Sequence, residues 1–535
     1  MRAAQVIRAI GLEQRTKRPR TAGAAPRAKA DERPVAKRGS KMKRLATLLG
    51  FLLFALLASR ASADRLTCDG AMRQSDWRTA LRECSPLAER GDPIAQFNLG
   101  LMYENGQGVP RDHREAVKWY RLAAEQGDAL AQFNLGVMYE NGQGVPRDHR
   151  EAMKWYRRAA EQGIANAQFN LGVMFGTGRG VPQDHREAVK WYRRAAEQGN
   201  PSGQFNLALM YYNGQSVPQD HRKAVKWYRL AAEQGQAMAQ TNLGSMYLNG
   251  QGVPQDHAEA MKWYRRAADQ GNATAQFNLG VMYAEGRGVP RDDREAVKWY
   301  RLAAEQGDAS GQVGLGVMYR TGEGVPRDDR EAVKWYRLAA EQGEALAQFN
   351  LGQMYLKGEG VPQDHAEAMK WYRRAAEQGN AEAQNNLGSM YYNGQGVPQD
   401  HREAMKWYRL AAEQGDAWAQ FNLGAMYDAR RGVPQDHRDA GTWLRRAAEQ
   451  GHAAAQGILG VMYAEGRGVP QDDLLAYFWL NLATSQADPG KREDHLKVRD
   501  SAAQRLTPAQ RAKAQEMARD WKPKLERPTR LTPGK

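Results

Sequence analysis

From Asp92 onward, apolar positions fall into two helical registers that alternate without drift. In the stretch 93–128, Ala95, Leu99, Met102 and Tyr103 stand at i, i+4, i+7 and i+8, one stripe of an amphipathic helix. After a polar turn, Ala116, Trp119, Tyr120, Ala123 and Ala124 follow at i, i+3, i+4, i+7 and i+8, which predicts a second helix. The punctuation agrees with both. Asp92 is placed to cap the first helix, with Pro93 at its first position, and Gly106 ends it before a Gly-Val-Pro turn. Asp112 opens the second helix at capping-box spacing from Glu115, and Gly127 stops it. No strand-like alternation appears in the unit.

The same unit recurs. Prolines at Pro110, Pro146, Pro182 and onward to Pro470 keep a step of 36 residues, and tryptophans keep it from Trp119 to Trp479, so that eleven units fill 93–488. A two-helix hairpin of this size cannot bury both of its faces alone, so consecutive hairpins must stack. The predicted fold is all-α, a right-handed α/α solenoid of about eleven 36-residue helix-turn-helix repeats. Small residues, Gly100 and the pair Ala123 and Ala124, allow backbones to approach, while Trp119 and Tyr120 supply most of the buried area.

The pattern A-x-A-Q-F-N-L-G-x-M-Y-x-x-G-x-G-V-P-x-D-x-x-x-A-x-K-W-Y-x-x-A-A-E-Q-G resembles the Sel-1-like repeats, relatives of the tetratricopeptide repeats with a slightly longer unit. The resemblance runs through all eleven units and implies an adaptor or scaffold of secreted bacterial type that holds proteins or peptides, often in envelope or signalling complexes. By resemblance to tetratricopeptide solenoids, the first helices line the concave face. Some cysteine-rich relatives are linked to β-lactam binding, but they carry a cysteine pair in nearly every repeat, and this chain has only Cys68 and Cys84.

Variation among the repeats separates scaffold from surface. The second position of the first helix changes freely, from Ile94 through Met238 and Glu382 to Trp418. The position after the helix glycine and the two before the terminal glycine also vary, as in Ser245, Gln353, Ser389 and the pair Arg320 and Thr321. Recognition of a partner is expected there, with Trp418 as an anchor or, alternatively, packed under a neighbouring hairpin. A carboxamide row is a second candidate: Asn98, Asn134, Asn170, Asn206, Asn242, Asn278, Asn350, Asn386 and Asn422, interrupted by Gly314 and Ile458. An amide both donates and accepts, and a spacing of ~10 Å matches about three residues of extended peptide, so the row could hold a partner's backbone; the alternative is that each Asn ties its own helix to the adjacent turn.

The ends carry different signals. Residues 42–63 have a basic start, an apolar run from Leu45 to Ala58 and an Ala61-Ser62-Ala63 cleavage signature, a secretory signal peptide rather than a spanning helix. Residues 1–41 form a basic, disordered extension that translation starting at Met42 would omit. The mature chain is thus expected in the periplasm or outside the cell after cleavage near Ala63, where a Cys68–Cys84 disulfide would persist. Residues 64–92 read as an N-terminal capping half-repeat, with Asp76, Ala80, Leu87 and Ala88 in register with Asp112, Ala116, Ala123 and Ala124. In the last repeat Leu474, Leu475 and Phe478 replace polar residues, so 489–535 are expected to supply capping helices, one opening at Thr507 with Gln510, and then a frayed basic tail beyond Trp521.

Composition excludes disorder of the whole and narrows the chemistry. At 42% hydrophobic and 26% charged the chain is globular. Eight histidines, His113 to His437, share one position that holds Asp293, Asp329 and Asp473 in other units; a site that accepts either is a solvated first-turn residue rather than a metal ladder. No phosphate loop, nucleophile elbow or isolated carboxylate pair stands out, so neither catalysis nor a cofactor is expected. The net charge of +16 is local: residues 1–63 hold 15 basic against 3 acidic residues, and 491–535 hold 13 against 6. The remainder carries 49 basic against 52 acidic, which directs the expectation to a protein or peptide partner, with no nucleic acid and no membrane span. The competing readings are a cell-wall-directed enzyme hydrolysing β-lactam or peptidoglycan, and a polyanion binder using the basic C-terminus.

Overall fold

The computed structural model describes residues 67–432, 434–486 and 489–524. Helices and turns account for them, with no strand among the described residues. The helices come in the predicted pairs, here called helix A and helix B of each repeat: Pro93–Asn105 with His113–Glu125 in the first, and Ala453–Glu465 with Asp473–Gln486 in the eleventh. Compactness divides the chain inside the helix Ala237–Asn249; one unit runs to Ala239 and takes in 251–254, and the other holds 240–250 and the chain from Gln255 on. The same hairpin builds both. The segments 1–41 and 42–63 lie outside the described residues, and no described helix is long and apolar enough to cross a membrane.

Within a hairpin, the local rules mostly hold. Asp92 accepts from the Ala95 N–H at 3.0 Å, and Gly106 leaves helix A with φ 71°. Asp112 caps helix B by accepting from Arg114 and Glu115 at 2.8 and 3.2 Å. The capping box expected there is only half formed. The Asp112 N–H is already donated to the Tyr103 carbonyl of helix A at 2.9 Å, so Glu115 has nothing to reach back for and pairs outward with Lys118 at 3.1 Å. At Thr507, whose N–H donates to Gln510 rather than to a carbonyl of the helix before it, the full box is present.

Two close approaches set the packing. Gly100 lets helix A lie on the Tyr120 ring; a Cβ there would stand 2.5 Å from ring carbons. Gly144 seats the turn of one repeat on helix B of the repeat before it, where a Cβ would be 2.1 Å from the His113 carbonyl oxygen. Successive repeats are also stitched by polar groups. Arg121 donates to the Tyr139 hydroxyl at 2.6 Å, and Arg265, Arg337 and Arg445 repeat the contact with Tyr283, Tyr355 and Tyr463.

Both ends are closed by departures from the repeat. The cap helix Trp77–Glu89 is opened by Asp76, which accepts from Thr79 at 3.2 Å, and Cys84 on it is bonded to Cys68 with the sulfurs 2.09 Å apart. At the far end Phe478 is buried and Leu474 and Leu475 are half-buried, packed with Ala502 of the helix Pro489–Gln504, Ala514 of the helix Pro508–Asp520 and Leu506 of the turn between them. The chain just past Trp521 is not frayed: the Lys524 N–H donates to the Glu449 carbonyl at 2.8 Å and Pro523 approaches Gly451, because the last carbonyls of helix B of the tenth repeat accept it. Residues 525–535 lie outside the described residues.

Candidate interaction surface

Helix A has two faces. Ala95, Gln96, Leu99, Gly100 and Met102 are buried, and residues 94, 98, 101 and 105, spaced by four, three and four, share another stripe. The variable second position stands on that stripe and is exposed in nine repeats, being half-buried at Ser202 and Ala454. Ile94, Leu130 and Met238 project in one unit, Met238 at 56% exposure; Leu346, Glu382 and Trp418 project in the other, Leu346 at 46% and Trp418 at 62%. Trp418 is therefore open to a partner on one side, while its edge rests on His452 with ring centroids 4.4 Å apart. His452 also stacks on Phe421 and caps its own helix by accepting from Ala455 at 3.2 Å, and burial lowers its pKa.

The carboxamide row is deeper than the second position and much of it bonds internally. Asn98 donates to Asp69 at 3.2 Å, Asn206 to the Ser202 carbonyl at 2.9 Å and Asn422 to Asn385 at 3.0 Å. Asn134 and Asn170 act on the buried hydroxyls of Tyr120 and Tyr156 in the preceding repeat, each lowering a tyrosine pKa that burial raises, whereas Asn386 is half-buried and the Tyr372 hydroxyl of the preceding repeat makes no hydrogen bond. Asn242 and Asn278 are half-buried and Asn350 is buried. The amide of a row member that is bonded inward still has a second polar end to offer.

The histidine position differs from the solvated residue expected. His113, His149, His185, His221, His365 and His401 are half-buried, and their Nδ1 atoms are buried with no hydrogen-bond partner, because the Gly-x-Gly turn of the next repeat sits over this helix start. In three other repeats an arginine pairs with the aspartate in that place: Arg291 with Asp293, Arg327 with Asp329 and Arg505 with Asp473. Among the described residues no group of three His, Cys, Asp or Glu side chains is placed to hold a metal ion.

Sequence reasoning passed over the glutamine of A-x-A-Q, which organises the stack. Gln132 donates to the Ala124 carbonyl of the previous helix B at 3.0 Å and accepts from Gln162 of its own helix B at 2.8 Å, joining three helices through one buried side chain. The triad recurs with Gln168, Gln276, Gln348 and Gln420. Its signal was available, since this glutamine and its partner glutamine, the middle residue of the usual Glu-Gln-Gly, never vary among the eleven units.

A tandem hairpin scaffold with a recurrent polar stitch and a variable helix-A stripe is a repeat protein of the tetratricopeptide-like class. The Sel1 repeat model matches eleven consecutive segments, from 93–128 through 453–488, and the chain belongs to the Sel1 repeat family. Among solved structures the chain is similar to c5321, a protective antigen of uropathogenic Escherichia coli displaying an SLR fold, at 39% identity over 82% of this chain and 94% of that one, with a TM-score of 0.70. It is also similar to a Sel1 repeat protein from Oxalobacter formigenes, at 37% identity over 58% of this chain and 90% of that one, with a TM-score of 0.47. No curated protein matches. Sel1 and related repeat proteins generally mediate protein–protein interaction.

Proposed function

We propose that this protein is a non-catalytic scaffold of the cell envelope that binds a partner protein or peptide on the helix-A stripe, the concave side of the solenoid read from the sequence. The exposed second position carries the reading. A side chain such as Trp418, 62% exposed with only its edge on His452, in a chain whose other tryptophans are half-buried or buried, leaves most of its ring open to a partner. Large apolar side chains in this place are what a partner's pocket takes up. Export is supported by the Cys68–Cys84 bond and by the signal read over 42–63. The carboxamide row would add hydrogen bonds to a bound backbone at Asn242, Asn278 and Asn350.

The test is a crosslinking pulldown of the mature protein from its native envelope, beside a triple variant L346A, E382A and W418A. The reading requires loss of the captured partner with an unchanged helical melt. Retention of the same partner by the variant would refute it.

A further inference from the structure

The same locus recurs between helix A and the buried helix-B tyrosine, and the protein fills it in several ways. In the first two repeats the Tyr120 and Tyr156 hydroxyls donate to the helix-A carboxylates of Glu104 and Glu140 at 2.5 and 2.6 Å. In the fifth and ninth, Ser245 and Ser389 meet the Tyr264 and Tyr408 hydroxyls at 2.9 and 3.0 Å. One step of 36 before Glu104 and Tyr120 stand Cys68 and Cys84, so in the N-terminal cap the same register holds the disulfide.

The seventh repeat leaves it unfilled. Val317 replaces the serine and Arg320 replaces the glutamate, and the Tyr336 hydroxyl, on a side chain 0% exposed, is buried with no hydrogen-bond partner. Arg320 acts on Tyr336 electrostatically, against the burial that pushes the phenol up to about 12, but an arginine can only donate, so the tyrosine O–H still lacks an acceptor. A cavity of about 330 Å³ opens here, lined by Val317, Arg320, Thr321, Tyr336, Asn350 and Glu359 together with Arg327. Arg327 is held by Asp329 at 2.9 Å. Arg320 makes one bond to Gln353 at 3.1 Å and a loose contact with Glu359 at 3.8 Å, which leaves other guanidinium N–H groups to offer.

We infer that this cavity is a subsite for a carboxylate of the partner polypeptide, which would accept from the Tyr336 hydroxyl, the Arg320 guanidinium and the Asn350 amide where the first two repeats use their own glutamates. The inference rests on the protein-binding reading above and names the chemistry of one contact within it. Glu359, which lines the same cavity, would accept from a backbone N–H flanking the bound acid. The pocket is large enough for one acidic side chain and its adjoining backbone, and its donors match an oxyanion better than a neutral amide.

The experiment titrates the full chain with three probes by ligand-observed NMR: N-acetyl-glutamate methylamide, whose only carboxylate is on the side chain; N-acetylglycine, whose only carboxylate is terminal; and neutral N-acetyl-glutamine methylamide. Saturable binding of at least one acid, weakened tenfold or more in R320E, is expected, with no binding of the neutral probe. R320E restores the residue the first two repeats carry, so its helical melt should match the parent. Should it unfold, V317S replaces it, giving Tyr336 the serine partner seen in the fifth and ninth repeats and weakening the acid severalfold. Equal binding of the neutral probe, absence of acid binding, or full binding by the folded variants would overturn the subsite. Such a failure alongside loss of partner capture in the L346A, E382A and W418A variant would leave the broader reading standing.

Discussion

The glutamine triad makes a differential prediction, because one of its members is naturally incomplete. Gln348 is buried, donates to the Ala340 carbonyl at 3.1 Å and accepts from Gln378 at 2.8 Å. Gln456, equally buried, donates to Ala448 at 3.1 Å, but its Oε1 is buried with no hydrogen-bond partner. Methionine keeps the length of either side chain and removes its polar ends. At Gln348 the change deletes two neutral hydrogen bonds, at about 1 kcal/mol each, for about 2 kcal/mol in all. The Ala340 carbonyl keeps its bond from the Gly343 N–H, so the loss should not exceed this. At Gln456 the change deletes one bond but also removes a buried acceptor that nothing satisfies, and the two effects should cancel to within about 1 kcal/mol. A long repeat array does not unfold as one two-state unit, so amide hydrogen exchange, read helix by helix, is the appropriate assay. Q348M should lower protection in Ala345–Lys357 and His365–Glu377 by about 30-fold, since each 1.4 kcal/mol is about tenfold, and Q456M should change its own hairpin by less than about fivefold. Equal losses at the two sites, or Q348M within threefold of the parent, would refute the argument that the buried amide ties the stack.

Three other perturbations test separate parts of the structure. Ser216 holds φ 59°, where the matching Gly108, Gly144, Gly180 and Gly252 lie at 72–73° or close to it, so S216G should stabilise the fourth hairpin by about 1 kcal/mol, seen as slower local exchange; a destabilisation would contradict it. His452 is held neutral by burial, so its folded pKa lies below the unfolded value of 6.5; its stabilising share is complete above that value and is lost as pH falls through the folded pKa. Protection of Ala453–Glu465 should therefore fall on acidification in the parent, and less in H452N, whose cap matches Asn200, Asn272 and Asn380; identical pH profiles would refute the role. Cys68 and Cys84 are 16 residues apart, a closure worth about 3 kcal/mol, so C84S should expose the amides of Trp77–Glu89 and Pro93–Asn105 while distant repeats keep their protection.

Helices and turns were legible because each signal recurs in fixed register: Asp112 and Gly127 mark the same boundaries in the sequence that they mark in the structure. What escaped depends on neighbours that a linear reading does not place. Glu115 has capping-box spacing, yet the Tyr103 carbonyl takes the N–H it would have bonded. Gln132 looks polar and hence exposed, but a carbonyl and a second amide make its burial favourable. Lys522 to Lys524 look like tail until the open end of helix B offers Lys524 an acceptor. Of the candidate surface, the exposure of Met238, Glu382 and Trp418 followed from variability alone. The inward bonds of Asn134 and Asn170 did not, because they require the tyrosine of the preceding repeat.

Whether a partner occupies the helix-A stripe is read out by site-specific photocrosslinking. A photoreactive residue is placed singly at Leu130, Leu346 and Trp418 on helix A, and at the exposed Lys118, Arg330 and Glu413 on helix B, and the mature protein is irradiated in its native envelope. A discrete crosslinked product is expected from one or more helix-A positions and none from helix B. The same product arising from helix B, with the helix-A positions silent, would contradict it.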